Sequence, residues 1–272
     1  LPGTLFVVAT PIGNLQDITS RALETLAVVD LVVCEDTRVA RRLLSHFGLK
    51  KPTLSNFTGN EERRVTTVLE SLAEGRSVAL TTDAGTPGVS DPGYLLVRAC
   101  QDAGFPVVGV PGASALAAAL SVCGLPTNRV LFLGFPPRKT GERRTLLESL
   151  AQDPSTLVFY ESPRRVRTFL AELQERLPDR PVVALRELTK VFESTYPNPK
   201  PEDLPERGEY VLVAGPASVP SHGGGEVPGD AAARIALLVG HGLTEKDAMK
   251  EVARQSGVSR RDVYQKVKRR EP

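Results

Sequence analysis

The chain contains no tryptophan, one methionine, three histidines and three cysteines, and aromatic residues make up only 5% of it. Each shortage excludes something. Cys34, Cys100 and Cys123 are odd in number and far apart, so they form no disulfide framework and no metal-ligand spacing. Each lies in an apolar run, where a free cysteine behaves as a small buried hydrophobe, and that usage suits a reducing cytoplasm. His46, His222 and His241 share no i, i+4 spacing, so no zinc site or other metal site is expected. No apolar run approaches the roughly 20 residues that span a bilayer, so no membrane association is expected. The first residues, Leu1-Pro2-Gly3-Thr4, place no basic segment ahead of an apolar one and do not read as a signal peptide. Scarce aromatics also leave few platforms on which nucleobases could stack.

What is present is an ordinary globular composition, 41% hydrophobic and 24% charged over 272 residues, enough for two compact domains and a small appendage. The formal net charge of +2 is unevenly spread. From Thr244 onward nine bases stand against five acids, which leaves +4 there and about −2 on the rest. A basic module is joined to a slightly acidic body.

The first half alternates short apolar, β-branched runs with helical patterns. Strands are expected at residues 5–9, 31–34, 78–81 and 107–110, and helices at 20–26, 39–47, 61–72 and 113–122. Asp91 and Pro92 read as the N-cap and first residue of one more helix. This alternation predicts an α/β layer with a largely parallel sheet. Pro126-Thr127-Asn128 marks a boundary. Beyond it, strands at 130–133, 157–160, 182–185, 191–195 and 210–213 come with only two helices, at 143–151 and 163–173, which predicts a mixed sheet. The domains are expected at 1–125 and 126–216. The stretch 217–229, rich in Pro, Gly and Ser, reads as a linker. Residues 230–272 follow as a helix-turn-helix-like domain with helices at 231–239, 245–254 and 260–268. Thr244 with Asp247, and Ser259 with Asp262, have capping-box spacing, and Gly257 suits a left-handed helix end. Val252, Val263, Tyr264 and Val267 are its expected core.

Four turn-rich loops follow strands of the first domain: TPIGNL at 10–15, EDTR at 35–38, DAGTPGVSDPG at 83–93 and PGASA at 111–115. In an open α/β sheet a ligand binds beyond the carboxyl ends of the strands, and glycines there let backbone approach it closely. None of the four is a dinucleotide fingerprint or a P-loop. One loop alone would be a mere tight turn; four at one edge point to a small-ligand site.

The strings ATPIGNLQDIT, CEDTR, TDAGTPGVSDPG, VPGASA, FYESPRR and RELTK, in this order, together resemble the RsmI family of ribosomal RNA methyltransferases, which has the tetrapyrrole-methylase fold. The tail KDAMKEVARQSGVSRRDVYQKVKR is similar to the family's helical C-terminal domain. Thr82 stands where the family usually has serine. The resemblance implies two α/β domains with S-adenosylmethionine in the cleft between them, a homodimer, and 2'-O-methylation of a decoding-centre cytidine of 16S rRNA in the small ribosomal subunit. Carried over by position, it implies cofactor contacts from Pro11, Ile12, Asp83, Gly85, Thr86, Pro87, Val89, Ser114, Ala115, Tyr160 and Leu188.

A ribose hydroxyl is a weak nucleophile, so a general base or an alkoxide-stabilising cation would help it. Asp36, Glu187 and Lys190 are the candidates, with Asp83 and Glu193 behind them. If 186–190 is a strand, alternation turns Arg186, Leu188 and Lys190 one way, toward the cofactor. A salt bridge is the plainer role for Lys190. Arg38 and Arg186 could hold RNA phosphate or pair with Asp36 and Glu187. In the tail, Lys250, Arg254, Arg260, Arg261, Lys266 and Lys268 are candidate phosphate contacts, or a solvated face. Two other functions fit the same pattern: a methyltransferase acting on a small molecule such as a tetrapyrrole, and a ligand-sensing helix-turn-helix regulator.

Overall fold

In the computed structural model, residues 2–57, 61–216, 231–240, 243–256 and 260–268 are described. They divide into two compact units, one up to Ala217 and one from Ser218. The first unit holds two five-stranded sheets.

Sheet one is built from β1 (Leu5–Val8), β2 (Leu31–Cys34), β3 (Thr53–Ser55), β4 (Val78–Leu80) and β5 (Val107–Val110). It is parallel throughout, in the order β3-β2-β4-β1-β5. Helices α1 (Ser20–Val28) and α2 (Thr37–His46) cover one face, where Ala22, Leu26 and Leu44 meet Val8, Val32 and Ala79. Helices α3 (Glu61–Ala73) and α4 (Tyr94–Asp102) cover the other, where Val68, Leu72, Leu96 and Cys100 meet Leu5, Val33 and Leu80. Burial on both faces is why the inner strands β1, β2 and β4 read as unbroken apolar runs. From β1 the chain crosses toward β2, and from its neighbour β4 it crosses the opposite way to β5. A crevice therefore opens at their carboxyl ends.

Sheet two comprises β6 (Val130–Gly134), β7 (Thr156–Glu161), β8 (Val182–Arg186), β9 (Ser194–Pro197) and β10 (Tyr210–Ala214), in the order β6-β7-β10-β8-β9. Only β6 and β7 are parallel, so the sheet is mixed as expected. Along β10, Tyr210, Leu212 and Ala214 face a core completed by α6 (Thr140–Ser149) and α7 (Val166–Arg176). Val211 and Val213 face the other way, toward α5 (Ala115–Val122), which follows the last strand of sheet one.

Three expectations need correction. The helix expected to open at Asp91-Pro92 begins at Tyr94, with Gly93 at its N-cap and φ of 139°. Ser90 and Gly93 both take left-handed φ values, so the Ser-Asp-Pro-Gly stretch turns before helix can form, and Asp91 faces a cavity instead of capping. The strand expected at 191–195 lies at Ser194–Pro197, because residues 187–193 close a turn in which Lys190 N donates to Glu187 O and Glu193 N to Lys190 O. For the same reason Arg186, Leu188 and Lys190 do not alternate along a strand; β8 ends at Arg186. Strand β3 was not expected, being three residues long, too short to show a period.

The second unit contains α8 (Ala231–Gly240), α9 (Glu245–Ser256) and α10 (Arg260–Lys268) around Ile235, Met249, Val252 and Val263. Thr244 caps α9: its hydroxyl accepts Asp247 N at 3.2 Å and donates to Asp247 Oδ2 at 2.6 Å. Tyr264, expected in this core, is 49% exposed and is not among its packed residues. The linker, Gly257 and the Ser259 cap lie outside the described residues, as do the side chains of Arg254 and Lys268.

Candidate active site

The loops after β1 and β4 are stitched by a reciprocal backbone pair. Thr10 N donates to Gly85 O at 2.8 Å, and Gly85 N to Thr10 O at 3.1 Å. Gly85 has φ of +87°, and a β-carbon there would sit 3.3 Å from Ile12 Cγ2. Thr86 Oγ1 donates to Ala113 O at 3.2 Å, which ties in the loop before α5. Ser114 is the N-cap residue of α5, yet its side chain caps nothing. From sheet two, Tyr160 is the next-to-last residue of β7, with its ring edge-on to Phe132 and Phe135 at 4.9 and 5.7 Å.

These elements enclose a cavity of about 490 Å³ between the two sheets. Of the eleven residues expected at a cofactor, Ile12, Asp83, Gly85, Thr86, Val89, Ser114, Ala115, Tyr160 and Leu188 line it. Pro11 lines a second cavity, of about 530 Å³, and Pro87 lines neither. The two cavities share Ile12, Asp83, Ala84 and Glu209. Sequence reasoning missed Phe135, Glu161 and Asp91 in the first and Arg42 and His46 in the second. Asp91 was visible in its motif but was read as a helix cap; Phe135 and Arg42 carry no local signal.

One corner of the first cavity is acidic. Burial pushes the Asp91 carboxyl up to about 6, and the Glu35 carboxylate adds to the shift, against a hydrogen bond from Thr82. Glu35 is raised as well, by burial and by Asp83. Asp83 Oδ1 accepts Asp36 N at 3.0 Å. A carboxyl whose folded pKa exceeds its unfolded value binds its proton more tightly when folded, so stability falls as pH rises through that window. Asp91→Asn should therefore raise the melting temperature at pH 8, by roughly a few degrees, with the gap closing by pH 4. Parallel melting curves for the variant and its parent across pH 4–8 would refute the placement of Asp91.

The second cavity is walled in part by Lys190. Its Nζ lies 2.9 Å from Glu187 Oε1 and 2.8 Å from Glu209 Oε2. Two close approaches shape this cluster. A β-carbon at Gly13 would fall 2.3 Å from Lys190 Cγ, and one at Gly208 would fall 2.6 Å from Glu187 Cγ. Burial works against the charge on Lys190, but the hydrogen bonds to Glu209 and Glu187 outweigh it and raise its pKa. Glu187 is held below its usual range: burial opposes this, and Lys190 and the Glu209 amide overcome it. At neutral pH the pair is a stable ammonium and carboxylate, so Lys190 is a cation and not a base.

The remaining candidates lie elsewhere. Asp36 caps α2 and lines neither cavity. Its carboxylate is clamped by Arg38 Nε and Nη2 and pushed down to about 2, chiefly by those hydrogen bonds. Such a group is a poor proton acceptor; what Asp36 contributes to the cavity is the amide that holds Asp83. Arg38 is thereby in an ion pair. Arg186 donates through Nε to Arg207 O at 2.8 Å. Glu193 accepts Thr189 N. In the helical unit Lys250, Arg260 and Arg261 are exposed and Lys266 is half-buried.

Two α/β layers around a cleft of this construction define a methylase: residues 4–202 match the family of tetrapyrrole (corrin/porphyrin) methylases. Solved structures agree in fold. The methyltransferase CobJ superposes with a TM-score of 0.61 at 24% identity, covering 79% of this chain and 95% of that one. The cobalamin biosynthetic enzyme cobalt precorrin-4 methyltransferase, CbiF, superposes with a TM-score of 0.57 at 20% identity, covering 78% of this chain and 94% of that one. Among curated proteins, ribosomal RNA small subunit methyltransferase I of Haemophilus influenzae is 41% identical over 97% of this chain and 96% of its own length. The protein of that name from Escherichia coli O157:H7 is 41% identical over 96% and 93%. The chain belongs to the family of ribosomal RNA small subunit methyltransferase I.

Proposed function

We propose that the protein transfers a methyl group from S-adenosylmethionine to the ribose 2'-hydroxyl of a decoding-centre cytidine in 16S rRNA of the small ribosomal subunit. The observation that carries the reading is the pair of cavities meeting across Ile12, Asp83, Ala84 and Glu209, in a chain matched over nearly its full length by rRNA methyltransferases.

The first cavity fits the donor. Tyr160, Phe135 and Leu188 offer an apolar and aromatic wall for adenine, Gly85 presents bare backbone, and Asp83 and Asp91 set carboxylates near a ligand that carries positive charge. When bound, S-adenosylmethionine supplies an electrophilic methyl group. The chain's own contribution is alignment of the two reactants and control of local charge. The second cavity is the acceptor side. There Lys190, held protonated between Glu187 and Glu209, stabilises negative charge developing on the ribose oxygen as the hydroxyl proton passes to solvent. Pro11 shapes this side, and Pro87 stiffens the donor loop from outside. The basic residues of the helical unit, with Arg38 and Arg186, hold RNA phosphate. The working form is a cytoplasmic homodimer.

The test is methylation of small subunits from a strain lacking the enzyme, with labelled donor and nucleoside mass spectrometry. A single new 2'-O-methylcytidine is expected; label in the base, or transfer only to tetrapyrroles, overturns the assignment. Lys190→Ala should lower kcat by about 10-fold to 100-fold, within the range of one charge-stabilising group, while donor affinity by calorimetry stays within two-fold of the parent, as a group acting mainly in the transition state requires. Full turnover in this variant would return Lys190 to a structural ion pair.

A further inference from the structure

The turn that carries Lys190 also presents an apolar tip. Val191 is 93% exposed and Phe192 is 69% exposed. In a chain with nine phenylalanines and no tryptophan, an aromatic ring left in water beside the acceptor cavity calls for a physical account. The turn is held firmly. Thr189 N donates to Glu193 Oε2 at 2.8 Å, the two backbone bonds between residues 187, 190 and 193 close it, and Glu187 and Thr189 adopt left-handed φ of 53° and 67°. Such backbone persists only where the surroundings enforce it. The ring is thus displayed from a fixed position.

Arg186 is tied to the backbone of the same turn. Its guanidinium donates to the carbonyls of Arg207 and Phe192, at 2.8 and 3.5 Å. Among the described residues it makes no ion pair, unlike Lys190 and Arg38. An exposed ring and a guanidinium without an ion-pair partner among the described residues, carried on one turn, are the pairing that holds single-stranded nucleic acid, the ring stacking on a base and the guanidinium meeting a phosphate.

We infer that Phe192 stacks on an unpaired base of the ribosomal RNA, next to the target nucleotide, with Arg186 on the adjoining phosphate. Phe192 is a substrate-positioning residue outside the donor site. The inference rests on the rRNA reading above, and the parent protein reports on that reading separately: if the parent fails to methylate subunits, the function is wrong before any variant is compared.

The experiment is steady-state kinetics on small subunits for Phe192→Ala, Phe192→Leu, Phe192→Tyr and Phe192→Trp. Alanine and leucine should raise KM for subunits by about ten-fold or more, the scale of one lost stacked base, with donor affinity unchanged. Tyrosine and tryptophan should restore it, since either ring stacks. Leucine as good as phenylalanine would mean simple apolar contact and overturns stacking. An unchanged KM in Phe192→Ala overturns any RNA contact. A change of oligomeric state in Phe192→Ala, measured by sedimentation, would make the tip a contact between copies of the chain and overturns the inference as well. In Phe192→Trp the new residue is the sole tryptophan, so its emission should be quenched when 16S rRNA binds. Emission unchanged in the bound complex counts against stacking.

Discussion

Gly85→Val is expected to abolish donor binding while the protein remains folded. The residue sits at φ of +87°, where a side chain is strained whatever the space, and its new β-carbon would meet Ile12 Cγ2 at 3.3 Å with Ala113 O at 3.8 Å. The backbone cannot easily retreat, because its N–H and C=O are both bonded to Thr10. Valine adds two methyl groups beyond that β-carbon, in a loop whose neighbours on every side line the cavity. The left-handed penalty, about 1–2 kcal/mol, is small against the 5–15 kcal/mol typical of a folded domain, so circular dichroism should remain that of the parent. Calorimetric affinity for S-adenosylmethionine should fall by more than about 100-fold, and Gly85→Ala should lose less. A folded Gly85→Val protein with parental affinity would place the donor elsewhere.

Deleting residues 218–272 should separate binding of the donor from binding of RNA. The contact pattern breaks between Ala217 and Ser218, every residue lining the two cavities precedes that break, and the helical unit has an apolar core of its own. Donor affinity should stay unchanged. Methylation of subunits near physiological salt should fall at least about ten-fold. Lys250, Arg260 and Arg261 are exposed bases, and phosphate contacts by such groups release counterions, so affinity for RNA falls steeply as salt rises. The truncated protein should show a flatter dependence. If it methylates subunits like the full chain at every salt concentration, the basic helices are only a solvated surface; if it folds but loses the donor, they belong to the catalytic body.

Legibility from sequence followed the range of the interactions involved. Short strands rich in β-branched residues, such as Leu31–Cys34 and Val107–Val110, announce themselves through unbroken apolar runs, and both emerged with the expected bounds, although the second is an edge strand with Val108 40% exposed. The glycine-rich loops marked the edge at which the cavity opens because backbone conformation is a local property: Gly85, Gly88 and Gly93 all have positive φ. Residues 187–193 misled, since Val191 and Phe192 have strand-forming side chains while the turn is set by Glu187, Glu193 and Glu209, the last of which comes from across the sheet. Asp91 misled in the same way, its capping chemistry overridden by a turn. The meeting of Lys190 with Gly13, and of Tyr160 with the loops of sheet one, depends on how two sheets face each other. No local pattern encodes that.

The placement of α5 bears on how the body came to fold as it does. The helix is contiguous in sequence with sheet one, yet Ala119 and Cys123 complete the inner core of sheet two against Val158, Val183, Leu185, Val211 and Val213. A chain ending near Leu125 would carry a helix with its apolar face in water, and a chain starting there would expose the inner face of four strands. Neither half can gain its full burial without the other, so the cleft is a by-product of a shared core. A mutation that loosens α5 would be felt at once as lost cooperativity of unfolding and as a misaligned pair of walls, because the same buried surface is responsible for both.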